Sequence, residues 1–313
     1  MASPRAVSST LPGGVRTWLL AIRPATLPAS LSGVLVGLGA ALATGAPFRI
    51  DAALGCVAVA LLLQSAANLA NDLSDFGRGA DTPTRLGPTR VAAAGLVTVR
   101  QLKTAIAIAL ILAAAAGAWL ATIGGPVFVA LGVAAILALL AYTGGPFPYG
   151  YHGLGELFVF VFFGPVAVIA TAALQSGRVE LLYVLAAVPV GTLATAILVV
   201  NNLRDTSTDR AAGKRTLAVI FGEGFARAEY LGCLVAAWVI PCGLVAARAV
   251  GAPIAAGPLA LLPLLAIPTA LPLWRTVGAA GDPRRLNAVL GGTARLTLVF
   301  AMLFAAGLAA GRP

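Results

Sequence analysis

Nine runs of mostly apolar residues limit what this chain can become: about 20–43, 52–73, 102–122, 126–142, 155–175, 181–203, 226–249, 256–277 and 288–310. A helix of about 20 apolar residues crosses a hydrocarbon core of about 30 Å. Inside that core only helices or a closed barrel satisfy every backbone N–H and C=O. The runs are too long to be the alternating strands of a barrel. The expected fold is therefore all-α, a polytopic membrane bundle of about nine helices. The charge content agrees: 10% of the chain is charged and 59% hydrophobic, too little charge to coat a soluble domain of 313 residues. Pro28, Pro165, Pro189, Pro241, Pro263 and Pro268 fall inside runs. Membrane helices tolerate such kinks when neighbours satisfy the freed carbonyls, and the 36 glycines allow close helix contact.

Residues 1–17 form a polar N-terminal tail with Arg5 and Arg16, and no cleavage site marks it as a signal peptide. No polar linker interrupts the rest, so 18–313 is expected to form a single membrane domain. Nine spans put the two termini on opposite sides. With the N-terminus cytoplasmic, only Arg49, Arg178, Arg248 and Arg312 of the 21 basic residues face away from the cytoplasm. The positive-inside rule then orients a protein of the cell membrane, plasma or inner, with its N-terminus in the cytoplasm. The net charge of +10 is accounted for by this asymmetry and does not call for nucleic acid. Cys56, Cys233 and Cys242 form no CxxC pair, and His152 is the sole histidine, so no zinc site is expected.

Two polar stretches interrupt the apolar pattern. The first, NLANDLSDFGRGADTPTRLGPTR, runs from Asn68 to Arg90 at the end of the second run; the second, NNLRDTSTDRAAGKRT, runs from Asn201 to Thr216 at the end of the sixth. If the second run stays helical through Asp75, then Asn68, Asn71, Asp72 and Asp75 share a face. Asn201, Asp205 and Asp209, each four apart, share another, and Asn202 is turned about 100° from Asn201. Both stretches fall on the cytoplasmic side, and their likeness points to an internal duplication. Clustered carboxylates repel unless a cation sits between them. Oxygen donors without Cys or His favour Mg²⁺, which takes one or two carboxylates and completes its shell with water and substrate phosphates. Asp72, Asp75, Asp81, Asp205 and Asp209 are the candidate metal ligands, and Arg85, Arg90, Lys214 and Arg215 the candidate phosphate partners. Two other readings remain: solvated helix ends with surface ion pairs, and a divalent-cation transporter. A transporter's acids belong near mid-membrane, away from repelling Arg and Lys.

With these motifs in view, the chain resembles the UbiA-type membrane prenyltransferases. It is most similar to those of menaquinone synthesis that act on 1,4-dihydroxy-2-naphthoate. The points of resemblance are NDLSDFGRGAD with five residues between Asp75 and Asp81, RLGPTR from Arg85 to Arg90, and NNLRD followed by GKRTLAV. YTGGPFPYGYHGLGE (Tyr142–Glu156) and RPATLPA (Arg23–Ala29) are similar to the same group. The resemblance implies a helix bundle around a central cavity open to the cytoplasmic side. It implies that Asp72, Asp75, Asp205 and Asp209, with Asn68 and Asn201, hold Mg²⁺ and the diphosphate of a polyprenyl donor. Asp81 would join the first group, and Lys214 would face the diphosphate. The implied acceptor is 1,4-dihydroxy-2-naphthoate and the implied product demethylmenaquinone, with loss of CO₂. Arg23, Tyr142, Tyr149, Tyr151, His152 and Glu156 are candidates for the acceptor side, and Phe158–Pro165 for the path of the tail. Two positions depart from the pattern: Pro146 stands where many relatives carry Lys four residues after a Tyr, and Ala25 where a basic residue is expected. Other prenyl acceptors, such as 4-hydroxybenzoate or homogentisate, stay open.

Overall fold

The computed structural model describes residues 14–78, 86–87, 90–279 and 281–311. Asp81 and Arg85 of the first motif lie outside these residues. Among the described residues, each of the nine apolar runs is helical. The first span comprises α1 (Val15–Ile22) and α2 (Leu27–Ala43), separated by a 3-10 turn at Pro24–Thr26. The break follows from Pro24, which disfavours the right-handed helical region for the residue before it. Arg23 takes the left-handed region instead, with φ of 51°, the single non-glycine residue to do so among those described. The second, third and fourth spans are α3 (Ile50–Gly77), α4 (Val99–Gly124) and α5 (Pro126–Ala141). Gly125, with φ of 83°, alone separates α4 from α5, a conformation that suits glycine.

The fifth span is α6 (Gly155–Val161), a π turn at Phe162–Val166, and α7 (Ala167–Ser176). Pro165 lies inside that turn; it lacks an N–H and crowds the turn before it, so the helix widens locally. The sixth span is α8 (Leu181–Arg204), followed by the short α9 (Thr206–Ala211) and α10 (Leu217–Phe221). The seventh is α11 (Glu223–Ala249). The eighth is a 3-10 segment, Pro258–Ala266, continued by α12 (Ile267–Gly278), and the ninth is α13 (Leu286–Ala310). Eight of these spans are long and apolar enough to cross a membrane. The exception is α5, whose 16 residues reach about 24 Å. The protein is a multi-pass membrane protein.

The ring of helices closes where α2 packs on α13, and α8 is enclosed by α2, α6, α11 and α13. Glycine sets the closest approaches. A Cβ at Gly39 would lie 2.5 Å from the Ala305 backbone, and one at Gly164 would lie 2.7 Å from the Ala187 carbonyl and 2.8 Å from Gly191 Cα. In lipid, where apolar surface gains nothing by leaving solvent, such close backbone packing holds helices together. Gly164→Val should therefore lower stability by about 1–3 kcal/mol, read as an earlier melting transition in detergent. Gly232→Ala, on an open face of α11, should leave the transition in place.

Candidate active site

The ends of α3, α5 and α8 converge on one cavity of about 420 Å³. Its mouth is polar, lined by Arg23, Thr26, Asn68, Asn71, Asp75, Arg90, Tyr142, Asn201, Asn202, Asp205, Asp209 and Lys214. From the mouth it runs between spans two, four and five along Leu63, Val59, Ala135, Gly132 and Leu131 to Phe128 and Leu174. Fourteen residues of helix, about 21 Å of rise, separate Tyr142 from Phe128. Phe158, Phe162 and Phe163 line this apolar arm, so three of the four phenylalanines in the run singled out from the sequence face it. Phe160 turns away and packs against Gly191.

The first motif is helical through Asp75, the condition under which its polar residues share a face. Asp75 is 1% exposed. Its Oδ2 accepts from Arg90 at 2.6 Å and its Oδ1 from the Tyr151 hydroxyl at 3.0 Å. The Lys214 ammonium stands 3.8 Å from Asp75 and 3.8 Å from Asp209, linking the two motifs. Lys214 and Arg78 also lie over the Tyr151 ring, 4.8 and 5.3 Å from its centroid, within cation–π range. Asp72 is buried, is not among the residues that line the cavity, and accepts from the Val91 N–H at 3.0 Å. Asn68 donates to Ile22 O and Thr26 Oγ1 at 2.7 and 2.9 Å, which fastens α3 to the break in the first span.

The second motif is organised by Arg204, a residue the sequence reading counted only among the cytoplasmic charges. Its side chain is 2% exposed. Nε donates to Asp205 at 2.8 Å, Nη2 to both Asp205 and Asn201 Oδ1, and Nη1 to Asn287 Oδ1 of α13 at 2.9 Å. Asn287 in turn donates to the Leu86 carbonyl at 2.9 Å. No pattern in the sequence separates a buried arginine from a surface one at a helix end. The helix α8 stops at Arg204, yet the Asp209 N–H bonds the Asp205 carbonyl at 2.7 Å, so Asn201, Asp205 and Asp209 still reach one cavity.

The acceptor candidates separate into two groups. Arg23, Tyr142 and Tyr149 line the cavity. Tyr142 and Tyr149 meet edge-on at 5.4 Å, Tyr149 stacks on Phe158 at 4.0 Å, and Phe158 on Phe162 at 6.2 Å, forming an aromatic wall from mouth to arm. Burial pushes the Tyr149 and Tyr151 hydroxyls well above the usual phenol range, and the charge of Asp75 adds to this at Tyr151. At neutral pH these groups are therefore hydrogen-bond donors. Glu156 and His152 do not line the cavity. Glu156 accepts from Asn202 at 2.7 Å, with no arginine partner among the described residues. His152 Nδ1 pairs with the Pro148 carbonyl at 3.0 Å and its ring stacks on Phe147 at 4.0 Å, which fastens the loop. Arg215 is exposed, and its backbone N–H rather than its side chain engages Tyr151.

The UbiA prenyltransferase family profile matches residues 30–289. The chain belongs to the UbiA prenyltransferase family. A 1,4-dihydroxy-2-naphthoate octaprenyltransferase of Mycobacterium tuberculosis is 41% identical over 295 residues, covering 94% of this chain and 97% of that enzyme. The octaprenyltransferase of the same description from Escherichia coli K12 is 39% identical and covers 70% of this chain and 73% of its own length. A UbiA homolog from Archaeoglobus fulgidus, bound to GPP and Mg²⁺, shares the fold with a TM-score of 0.64 at 16% identity, covering 93% of this chain and 99% of that one. This UbiA family member is a membrane prenyltransferase, which sets aside the cation-transporter reading. Removing one partner of a buried ion pair strands the other at a cost of about 3–5 kcal/mol. Arg204→Met should therefore lower the melting transition markedly, and adding Asp205→Asn should restore much of the loss.

Proposed function

We propose that this protein transfers a polyprenyl group from polyprenyl diphosphate to 1,4-dihydroxy-2-naphthoate in a Mg²⁺-dependent reaction. The observation that carries this reading is a single cavity whose polar mouth, with Asp75, Asp209 and Lys214, continues into a long apolar arm. Such a shape suits a ligand with a charged head and a long apolar tail. The relatives from M. tuberculosis and E. coli, 1,4-dihydroxy-2-naphthoate octaprenyltransferases, support the naphthoate as acceptor.

The residues fit Mg²⁺. The donors are oxygens of Asp, with Asn68 and Asn201 beside them, and the Lys214 ammonium already stands between two carboxylates as a cation would. Among the described residues no three acid, His or Cys side chains gather into a metal cage. Mg²⁺ does not need one, because substrate phosphates complete its shell. Asp75, Asp205, Asp209, Asn68 and Asn201, which line the cavity, would hold the ion together with the diphosphate, with Asp81 of the same motif; Asp72, turned to the Val91 N–H, would support them from the adjoining helix turn. When bound, Mg²⁺ neutralises the charge that builds on the leaving diphosphate.

Arg90 and Lys214, now paired with carboxylates, are placed to turn to phosphate oxygens, Arg in a bidentate manner and Lys as a point charge. The phenylalanine-lined arm holds the tail and keeps water from the allylic cation left when the C1–O bond breaks. Arg23, Tyr142 and Tyr149 flank the acceptor at the mouth. The ring carbon that carries the carboxylate attacks C1. Carbon dioxide then leaves, its bonding pair returns to the ring, and the product is demethylmenaquinone in its quinol form. The basic residues at the mouth support a position on the cytoplasmic side of the cell membrane by the positive-inside rule.

Purified protein in detergent, with Mg²⁺ and a labelled polyprenyl diphosphate, should yield a lipid-soluble product with the naphthoate and none with 4-hydroxybenzoate or homogentisate. EDTA should abolish it. Asp75→Ala and Asp209→Ala should each reduce kcat/KM by at least about 100-fold, and unchanged turnover in folded protein would remove the acids from the site. Product with the benzoate alone would keep the chemistry and reassign the acceptor.

A further inference from the structure

Asn201 and Asn202 are neighbours on α8 and both line the cavity, yet about 100° of helix rotation gives them different partners. Asn201 Oδ1 is engaged by Arg204 at 2.8 Å, on the side of the acids. Asn202 Nδ2 donates to Glu156 Oε1 at 2.7 Å, on the side of α6. One turn before Asn202 on the same face, Leu198 also lines the cavity. Gly155, the residue before Glu156, abuts both Leu198 and the Tyr142 ring, as a Cβ there would lie 3.2 and 3.5 Å from them. Asn202 therefore faces the aromatic wall and not the acid cluster.

Glu156 is poorly explained as a structural residue. It is 6% exposed, and among the described residues it makes no ion pair and its buried Oε2 has no hydrogen-bond partner. Burying a carboxyl with one oxygen unsatisfied is costly. The one side chain it orients is Asn202. A primary amide has two N–H donors and one carbonyl acceptor. With an N–H committed to Glu156, the amide is locked with its Oδ1 turned elsewhere, and that oxygen accepts no protein hydrogen bond among the described residues. A diphosphate offers no donor to an amide oxygen, whereas a phenolic hydroxyl does.

We infer that Asn202 accepts a hydrogen bond from a ring hydroxyl of the aromatic acceptor, and that Glu156 is the positioning residue that holds Asn202 for it. The inference rests on the prenyl-transfer reading above. It moves Glu156 from direct contact with the acceptor to action through Asn202, and it adds Asn202 to the site.

The test uses the full chain in detergent with Mg²⁺, a polyprenyl diphosphate, the naphthoate, and two naphthoate analogues that each lack one ring hydroxyl, measured as substrates or competitive inhibitors. Asn202→Ala should raise the KM for the naphthoate about tenfold and leave the KM for the diphosphate and the Mg²⁺ requirement in place. Removing one particular hydroxyl should weaken binding to the wild type by a similar factor and make little further difference to Asn202→Ala. Glu156→Leu should show the same split, and Glu156→Gln, whose carbonyl can accept from Asn202, should restore the wild-type KM to within about threefold. Asn202→Ser, a milder change, takes the place of the alanine variant if that does not fold. The inference is overturned if the diphosphate KM or the Mg²⁺ requirement moves instead, if neither hydroxyl couples to Asn202, or if Glu156→Gln behaves like Glu156→Leu. Wild-type protein that prenylates no aromatic acceptor would instead refute the prenyl-transfer reading, and this inference with it.

Discussion

A carboxylate at the edge of a hydrocarbon layer must be met by a cation or by N–H and O–H donors, because no bulk water is there to solvate it. Asp72, Asp75, Asp205 and Asp209 are all buried at one end of this bundle, and much of the local architecture answers that demand. Arg90 and Tyr151 reach Asp75, Arg204 grips Asp205, Lys214 lies between Asp75 and Asp209, and the Val91 N–H meets Asp72. These partners come from four different loops or helix ends, so satisfying the acids also fastens the chain around the mouth. The same pairings hold cations where an anionic head group would need them.

The arm of the cavity depends on a different constraint. In lipid, helices are held by close packing, and here glycines supply it: the first span seats against the fifth and ninth, and the fifth against the sixth. The fourth span, α5, is packed differently, with no buried residue along its length. One face carries Leu131, Gly132 and Ala135 into the cavity, while Val129, Val133 and Leu137 are exposed on the other. This short helix is thus a single layer between the cavity and the surrounding lipid, where a long apolar tail has the least protein to pass. The π turn in the fifth span, forced by Pro165, brings Phe162 and Phe163 onto the arm.

Much of this was present in the sequence. Among the described residues all nine apolar runs became helical, eight of them long enough to cross a membrane, because in a membrane the backbone has no other way to satisfy itself, and length and composition are local properties. The three- and four-residue spacings that put Asn68 and Asp75, or Asn201, Asp205 and Asp209, on common faces are also local, and all five line the cavity. Asp72 shares the spacing but turns to the Val91 N–H, because whether a helix face meets a cavity or a loop depends on what packs beside it.

The sequence by itself determined the membrane class, the helical runs, the two acidic motifs and the family, because each rests on residues close together along the chain. The tertiary structure alone decided which side chains pair across it. It made Arg204 a buried clamp rather than a surface charge, tied His152 into a loop, left Arg215 outside, and set Glu156 behind Asn202. The Glu156–Asn202 and Arg204–Asn287 pairs join residues 46 and 83 positions apart, and even the short pairings at Arg204 and His152 depend on which way the segment is turned. Their partners are chosen by helix rotation and packing, which no spacing within one segment encodes.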